Sequence, residues 1–132
     1  MTAQSIGADV IGRIHSSITC MADSPRQGDE GAGAAWLVID PVYSEALAGI
    51  QRDQSLVILT WLHEARRNVL QVHPRRDTDA AMTGVFATRS PHRPNPIGLH
   101  PVHVLAVDAD RLLVAPIEAI DGTPILDIKI AL

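Results

Sequence analysis

Cysteine is almost absent. Cys20 is the only one in 132 residues, so no disulfide forms within the chain. That fits a reducing compartment, and a small buried or loop residue is a commoner role for it than a nucleophile. Aromatic residues are scarce at 3%: Trp36, Tyr43, Trp61 and Phe86 are the whole set. The core must rest on Val, Ile, Leu and Ala, and few rings are present on which bases could stack. Lys129 is the sole lysine. The longest apolar run, 56–62, is broken by Thr60 and falls far short of the ~20 residues that span a bilayer, so no membrane contact is expected. The opening residues lack a basic region followed by an apolar run; no signal peptide is expected, and a cytoplasmic location is.

What is present bounds the answer from the other side. A chain of 132 residues at 46% hydrophobic content suits one domain, 1–132, with a real core. The net charge of −4 argues against nonspecific nucleic-acid binding. Its distribution argues back. Six of the eleven basic residues are Arg66, Arg67, Arg75, Arg76, Arg89 and Arg93, with only Asp77 and Asp79 among them. Such a patch suits an RNA or phosphate ligand; a solvated charged connection explains it as well.

The periodicity predicts strands over residues 6–15, 36–39, 56–62, 82–88, 100–107, 112–119 and 125–130. Residues 20–35 read as a loop. Asp40 and Pro41 read as an N-cap and a first helical position, with Val42, Ala46, Leu47 and Ile50 at helical spacing, so a short amphipathic helix is expected over 41–50. Residues 64–81 are mostly polar, with a partial strand near Val69, Leu70 and Val72. Residues 108–111 and 121–124 read as turns. The last strand is expected to alternate, with Leu126, Ile128 and Ile130 on one face and Asp127 and Lys129 on the other. Strands outnumber helices, which predicts an all-β or β-dominated fold, an antiparallel sheet or barrel. No Gly-x-Gly-x-x-Gly loop follows a strand, so a doubly wound nucleotide fold finds no support.

Residues 84–98 carry the densest chemistry. Pro91, Pro94 and Pro96 exclude a helix, and Ser90, Arg93 and Asn95 are pushed toward extended backbone. A stiff segment bearing Arg89, His92, Arg93 and Asn95 suits a preformed site for an anionic or nucleotide-like ligand. A proline-rich surface loop with solvated arginines suits it equally. Among six histidines, His100 and His103 should point to opposite faces of a strand. His15, His63, His73 and His92 are scattered, and no metal site is expected. His63, beside Glu64, either lines a pocket mouth or faces water.

The run Gly84-Val85-Phe86-Ala87-Thr88-Arg89-Ser90-x-x-Arg93-Pro94-Asn95-Pro96-Ile97-Gly98, followed by Asp121-Gly122-Thr123-Pro124-Ile125-Leu126-Asp127-Ile128-Lys129, closely resembles the TsaA-like (TrmO) family. Ile11 to Ser16 is similar to the family's opening strand, and Pro25-Arg26-Gln27 to its loop motif. The resemblance covers essentially the whole chain. It implies a small antiparallel β-barrel with one or two short helices, a homodimer, and S-adenosylmethionine as cofactor. It implies methylation of the exocyclic amine of a threonylcarbamoyl-modified adenosine beside the tRNA anticodon. By the matching motifs, Pro25, Arg26, Gln27, His63, Glu64, Arg89, Leu99, Ile117 and Glu118 would surround the cofactor. Arg93, Asn95, Asp121 and Thr123 would shape the site or meet the substrate, and the general base is unassigned. The chain departs from the family in having Asp53-Gln54-Ser55 before the central strand, Glu64 where glutamine is usual, and His100 where serine is common. Two alternatives stand beside this reading: methylation of another, smaller acceptor, and a noncatalytic module that binds S-adenosylmethionine or a nucleotide.

Overall fold

Alternate residues of the long strands are apolar, and these are the ones that turn inward. The computed structural model describes residues 4–18, 33–73, 79 and 81–132. Eight strands are present among the described residues: β1 (Gly12–His15), β2 (Ala35–Ile39), β3 (Ser55–Trp61), β4 (Gln71–Val72), β5 (Thr83–Gly84), β6 (Ile97–Asp108), β7 (Arg111–Ala115) and β8 (Pro124–Ile130). Six of them close into a barrel in the order β1-β2-β7-β6-β3-β8, each antiparallel to its neighbours. Strands β4 and β5 form a separate two-stranded ribbon. The barrel is filled by Ile14, Leu37, Leu56, Ile58, Val102, Val104, Leu112, Val114 and Ile125, all buried. Truncating any of the larger ones to alanine should cost ~2–5 kcal/mol. Gly12 admits the closest strand contact, since a Cβ there would lie 2.4 Å from the Val38 carbonyl oxygen.

Several elements differ from their sequence expectation. The first strand spans only Gly12–His15, and Ile6 is exposed. The segment after Asp40 is a 3-10 helix over Pro41–Leu47, not an α-helix. Asp40 does cap it, accepting from the Val42 amide at 3.2 Å. Tyr43, Leu47 and Ile50 pack on the core, while Val42 faces solvent. The 82–88 strand stops at Gly84 and turns into a 3-10 helix over Val85–Ala87. β7 ends at Ala115, before Pro116, which has no amide to donate. In β8 the predicted alternation is broken. Thr60 pairs with Ile125 but Leu59 pairs with Asp127, so Leu126 is the extra residue of a bulge. Ile125 and Ile128 both reach the core, and Ile130 is exposed.

The registers fix where the strand ends lie. Arg13 pairs with Pro124, Ala35 with Val114, and Thr60 with both Gly98 and Ile125. The ends of β1, β3 and β7 and the starts of β2, β6 and β8 therefore share one rim, the upper rim. The connections β1–β2, β3–β6 and β7–β8 leave from it. The 3-10 helix and the β6–β7 turn occupy the lower rim.

Candidate functional site

Residues 84–98 lie on the β3–β6 connection and the start of β6, and residues 121–124 on the β7–β8 connection and the start of β8, all at the upper rim. The proline segment is zipped onto the residues that follow β3. The Leu62 amide donates to the Pro96 carbonyl at 2.8 Å, and the Arg93 amide to the Arg66 carbonyl at 3.0 Å. The Arg66 amide donates to His92 Nδ1 at 2.9 Å. Arg67 Nε donates to the Pro94 carbonyl at 2.8 Å and Nη2 to Asn95 Oδ1 at 3.2 Å. Its guanidinium lies over the Trp61 ring, 5.0 Å from the centroid.

The arginines divide by role. Arg93 Nη1 donates to the carbonyls of Thr88 (3.2 Å) and Ser90 (3.0 Å), and Nη2 to that of Val85 (3.0 Å). Three carbonyls converging on one guanidinium require a curled backbone, which is why an extended strand does not continue past Gly84. Arg93 thus braces the loop from within. Arg89 is exposed, and its side chain makes no hydrogen bond or ion pair among the described residues. A guanidinium so placed is available to a carboxylate or phosphate.

Inside the rim lies a polar cluster. Thr60, buried on the inner face of β3, has its hydroxyl 2.9 Å from His100 Nε2 on β6. His100 Nδ1 lies 4.0 Å from Glu118 Oε1, on the β7–β8 connection. Burial lowers the His100 pKa from 6.5 to about 4. Gly98, on the same inner face, leaves room for this arrangement: a Cβ there would meet Thr60 Oγ1 at 2.4 Å and His100 Nε2 at 2.7 Å.

Across the rim, the 120–123 turn is tied to β1. Asp121 Oδ1 accepts from the Ser16 amide at 3.0 Å, and the Gly122 amide donates to the Ile14 carbonyl at 2.7 Å. Gly122 has φ +85°, a left-handed turn position that favours glycine. Arg13 Nη1 donates to the Gly122 carbonyl at 3.0 Å, and the buried Thr123 hydroxyl to the Ile120 carbonyl. A shallow depression of ≈ 560 Å³ opens here, lined by His15, Ser16, Trp36 and Asp121 among others.

The predicted residues that are described lie at or near the upper rim but do not line one pocket. Glu118 meets His100, and Asn95 meets Arg67. His63 Nε2 and Glu64 Oε2 are 3.9 Å apart beyond the end of β3. Ile117 is buried in the core, whereas Leu99 points outward and is half exposed. Pro25, Arg26 and Gln27 lie outside the described residues, as do Arg75 and Arg76. No group of three or more His, Cys, Asp or Glu able to hold a metal ion occurs among the described residues. Sequence reasoning missed Thr60 and Gly98 as neighbours of His100. The signal was parity: Thr60 follows Leu56 and Ile58, and His100 precedes Val102 and Val104, at the inward positions of their strands.

A family profile described as the tRNA-methyltransferase O N-terminal domain matches residues 13–131. The chain belongs to the TrmO N-terminal-domain family. It is 40% identical over 119 residues to an S-adenosyl-L-methionine-binding protein of Archaeoglobus fulgidus, covering 90% of this chain and 84% of that one. It is 37% identical over 129 residues to a probable S-adenosyl-L-methionine-binding protein of Methanothermobacter thermautotrophicus, covering 98% and 92%. Among solved structures, TrmO from Pseudomonas aeruginosa superposes with a TM-score of 0.78 at 31% identity, over 98% of this chain. The chain spans only 57% of that TrmO chain. The barrel read from the resemblance is therefore the TrmO barrel.

Proposed function

We propose that this chain is an S-adenosylmethionine-dependent methyltransferase acting on tRNA, as a single domain over 1–132. Carrying this reading is the match to the TrmO N-terminal domain over 13–131. The proposed acceptor is the exocyclic amine of threonylcarbamoyl-modified adenosine beside the anticodon.

The residues present suit such a cofactor. Arg89, exposed and without a side-chain partner among the described residues, pairs with its carboxylate. Glu118 would hold its amino group or ribose hydroxyls, and His63, Glu64, Leu99 and Ile117 would frame it, with Pro25, Arg26 and Gln27 assigned to the same cofactor by the loop motif alone. When bound, the cofactor supplies a methyl group on a sulfonium. The chain's own part is to orient the acceptor amine in line with that group, so that positioning carries most of the catalysis. Asn95, Asp121 and Thr123 shape the acceptor side, with Arg93 bracing the loop that carries Arg89. The basic β3–β6 connection, including Arg66, Arg75 and Arg76, supplies the surface for tRNA phosphates.

We place the protein in the cytoplasm as a homodimer. Ile97 and Leu99 are exposed apolar residues on the outer face of β6, with Leu105 exposed at the bulge beyond them, and a second copy would cover them. No helix among the described residues is long and apolar enough to cross a membrane.

The test is methyl transfer from radiolabelled S-adenosylmethionine to tRNA with and without the threonylcarbamoyl group. Transfer only to modified tRNA supports the full reading. Transfer to neither, with saturable cofactor binding, supports a noncatalytic binding module. Transfer to a small amine alone supports the smaller acceptor.

A further inference from the structure

His100 is 6% exposed and points into the upper end of the barrel. With a pKa of about 4, lowered by burial, its ring is neutral at pH 7 and carries a single N–H. Two neighbours face that ring. The Thr60 hydroxyl, 2.9 Å from Nε2, can donate or accept. Glu118 Oε1, 4.0 Å from Nδ1, only accepts when ionised. Nδ1 is buried and has no hydrogen-bond partner, a condition that costs free energy until an acceptor or donor reaches it.

Of the two neutral tautomers, one serves every atom. With the proton on Nδ1, the Thr60 O–H donates to Nε2 and the Nδ1–H faces the carboxylate. With the proton on Nε2, a bare Nδ1 lone pair faces a carboxylate in a low-dielectric place, which is repulsive. Gly98 keeps open the space in which the Thr60–His100 bond forms. Glu118 lies on the β7–β8 connection, is partly exposed, and brings Oε1 to within 4.0 Å of His100 Nδ1.

We propose that His100 is a positioning residue for Glu118: Nδ1–H donates to the carboxylate when the Glu118 side chain closes the remaining gap, and Thr60 fixes the tautomer from behind. The carboxylate is then held ionised and aimed outward, toward an ammonium or hydroxyl group of the ligand. The functional consequence rests on the assignment of Glu118 to the cofactor site; the hydrogen bond itself does not.

Two measurements separate these parts. Nitrogen-15 NMR of the histidine rings in the ligand-free wild type, assigned with His100→Leu or Thr60→Val, reads the tautomer at pH 7. A protonated Nδ1 and bare Nε2 at His100 are expected; a protonated Nε2 overturns the proposal. Calorimetric titration with S-adenosylhomocysteine then compares wild type, His100→Leu, Glu118→Gln and the double variant. Losing His100 should weaken binding about fivefold, the worth of one hydrogen bond, and the double variant should be no weaker than Glu118→Gln alone. Fully multiplicative losses overturn the coupling. If His100→Leu does not fold, Thr60→Val takes its place in the cycle. A wild type that binds no S-adenosylhomocysteine removes the cofactor-site reading, while the NMR spectrum still decides the His100–Glu118 contact.

Discussion

The Thr60 hydroxyl and the His100 imidazole meet at 2.9 Å inside the barrel, across the β3–β6 ladder. Among the described residues they are two of the three buried polar ones, in a core otherwise made of aliphatic side chains. Their cost is offset only while they satisfy each other. Thr60→Val keeps the shape and removes the hydroxyl, leaving Nε2 without its partner. A loss of ~1–3 kcal/mol is expected by urea denaturation, with Thr60→Ser recovering most of it.

Gly98→Ala tests the same place sterically. The added Cβ would press on Thr60 Oγ1 and His100 Nε2 at 2.4 and 2.7 Å. Overpacking of this kind costs ~1–3 kcal/mol. The variant should lower the denaturation midpoint, and the Gly98→Ala, Thr60→Ser double variant should lose less than the sum of the two singles.

Stability should fall in mild acid through His100. Its folded pKa, about 4, lies below the ordinary 6.5. Above pH 6.5 the ring is neutral in both states and costs nothing. Between 6.5 and 4 the unfolded chain takes up a proton that the folded chain refuses, so stability drops by up to ~1.4 kcal/mol per pH unit. Urea midpoints measured from pH 7.5 to 4.5 should show this slope, and His100→Gln should flatten it.

Arg89 and Arg93 should part company. Arg93→Ala removes three hydrogen bonds to loop carbonyls and should cost ~1–3 kcal/mol. Arg93→Lys should not restore it, because an ammonium cannot reproduce the planar fork. Arg89→Ala should leave the thermal midpoint unchanged while weakening S-adenosylmethionine binding roughly tenfold or more, as expected for a charge-assisted contact. Calorimetry and thermal melts on both variants check the division.

Binding to tRNA should depend steeply on salt if the β3–β6 connection meets phosphates. Replacing Arg75 and Arg76 with alanine should reduce the slope of log affinity against log salt by about one to two. Filter binding at several salt concentrations reads this directly, and an unchanged slope removes those arginines from the interface.

Local pattern carried much of the fold into view. The β6–β7 hairpin was legible from the inward positions Val102, Val104, Leu112 and Val114, but the expectation that Ala106 shares their face while Val107 opposes it fails at a register shift between Val104 and Ala106. β8 was misread because a bulge at Leu126 inserts one residue, a feature set by pairing with β3 and invisible within β8 itself. The strand expected past Gly84 failed for a similar reason: its backbone curls around Arg93, several residues away. The site was legible as motifs but not as geometry. His100 lies on one arm of the β6–β7 hairpin and Glu118 just past the end of the other, and it is the antiparallel register that pairs His103 with Ala115, not any local pattern, that brings them within 4.0 Å.

The strand directions have a practical corollary. β1 enters and β8 leaves the barrel at the rim opposite the arginine-bearing connections, since Leu56 at the start of β3 pairs with Ile130 near the chain's end. A tag, a tether to a sensor surface or a fused reporter joined at either end of the barrel by a short linker would stand behind the molecule. Immobilised in that way, the barrel would present its upper rim to bulk solution.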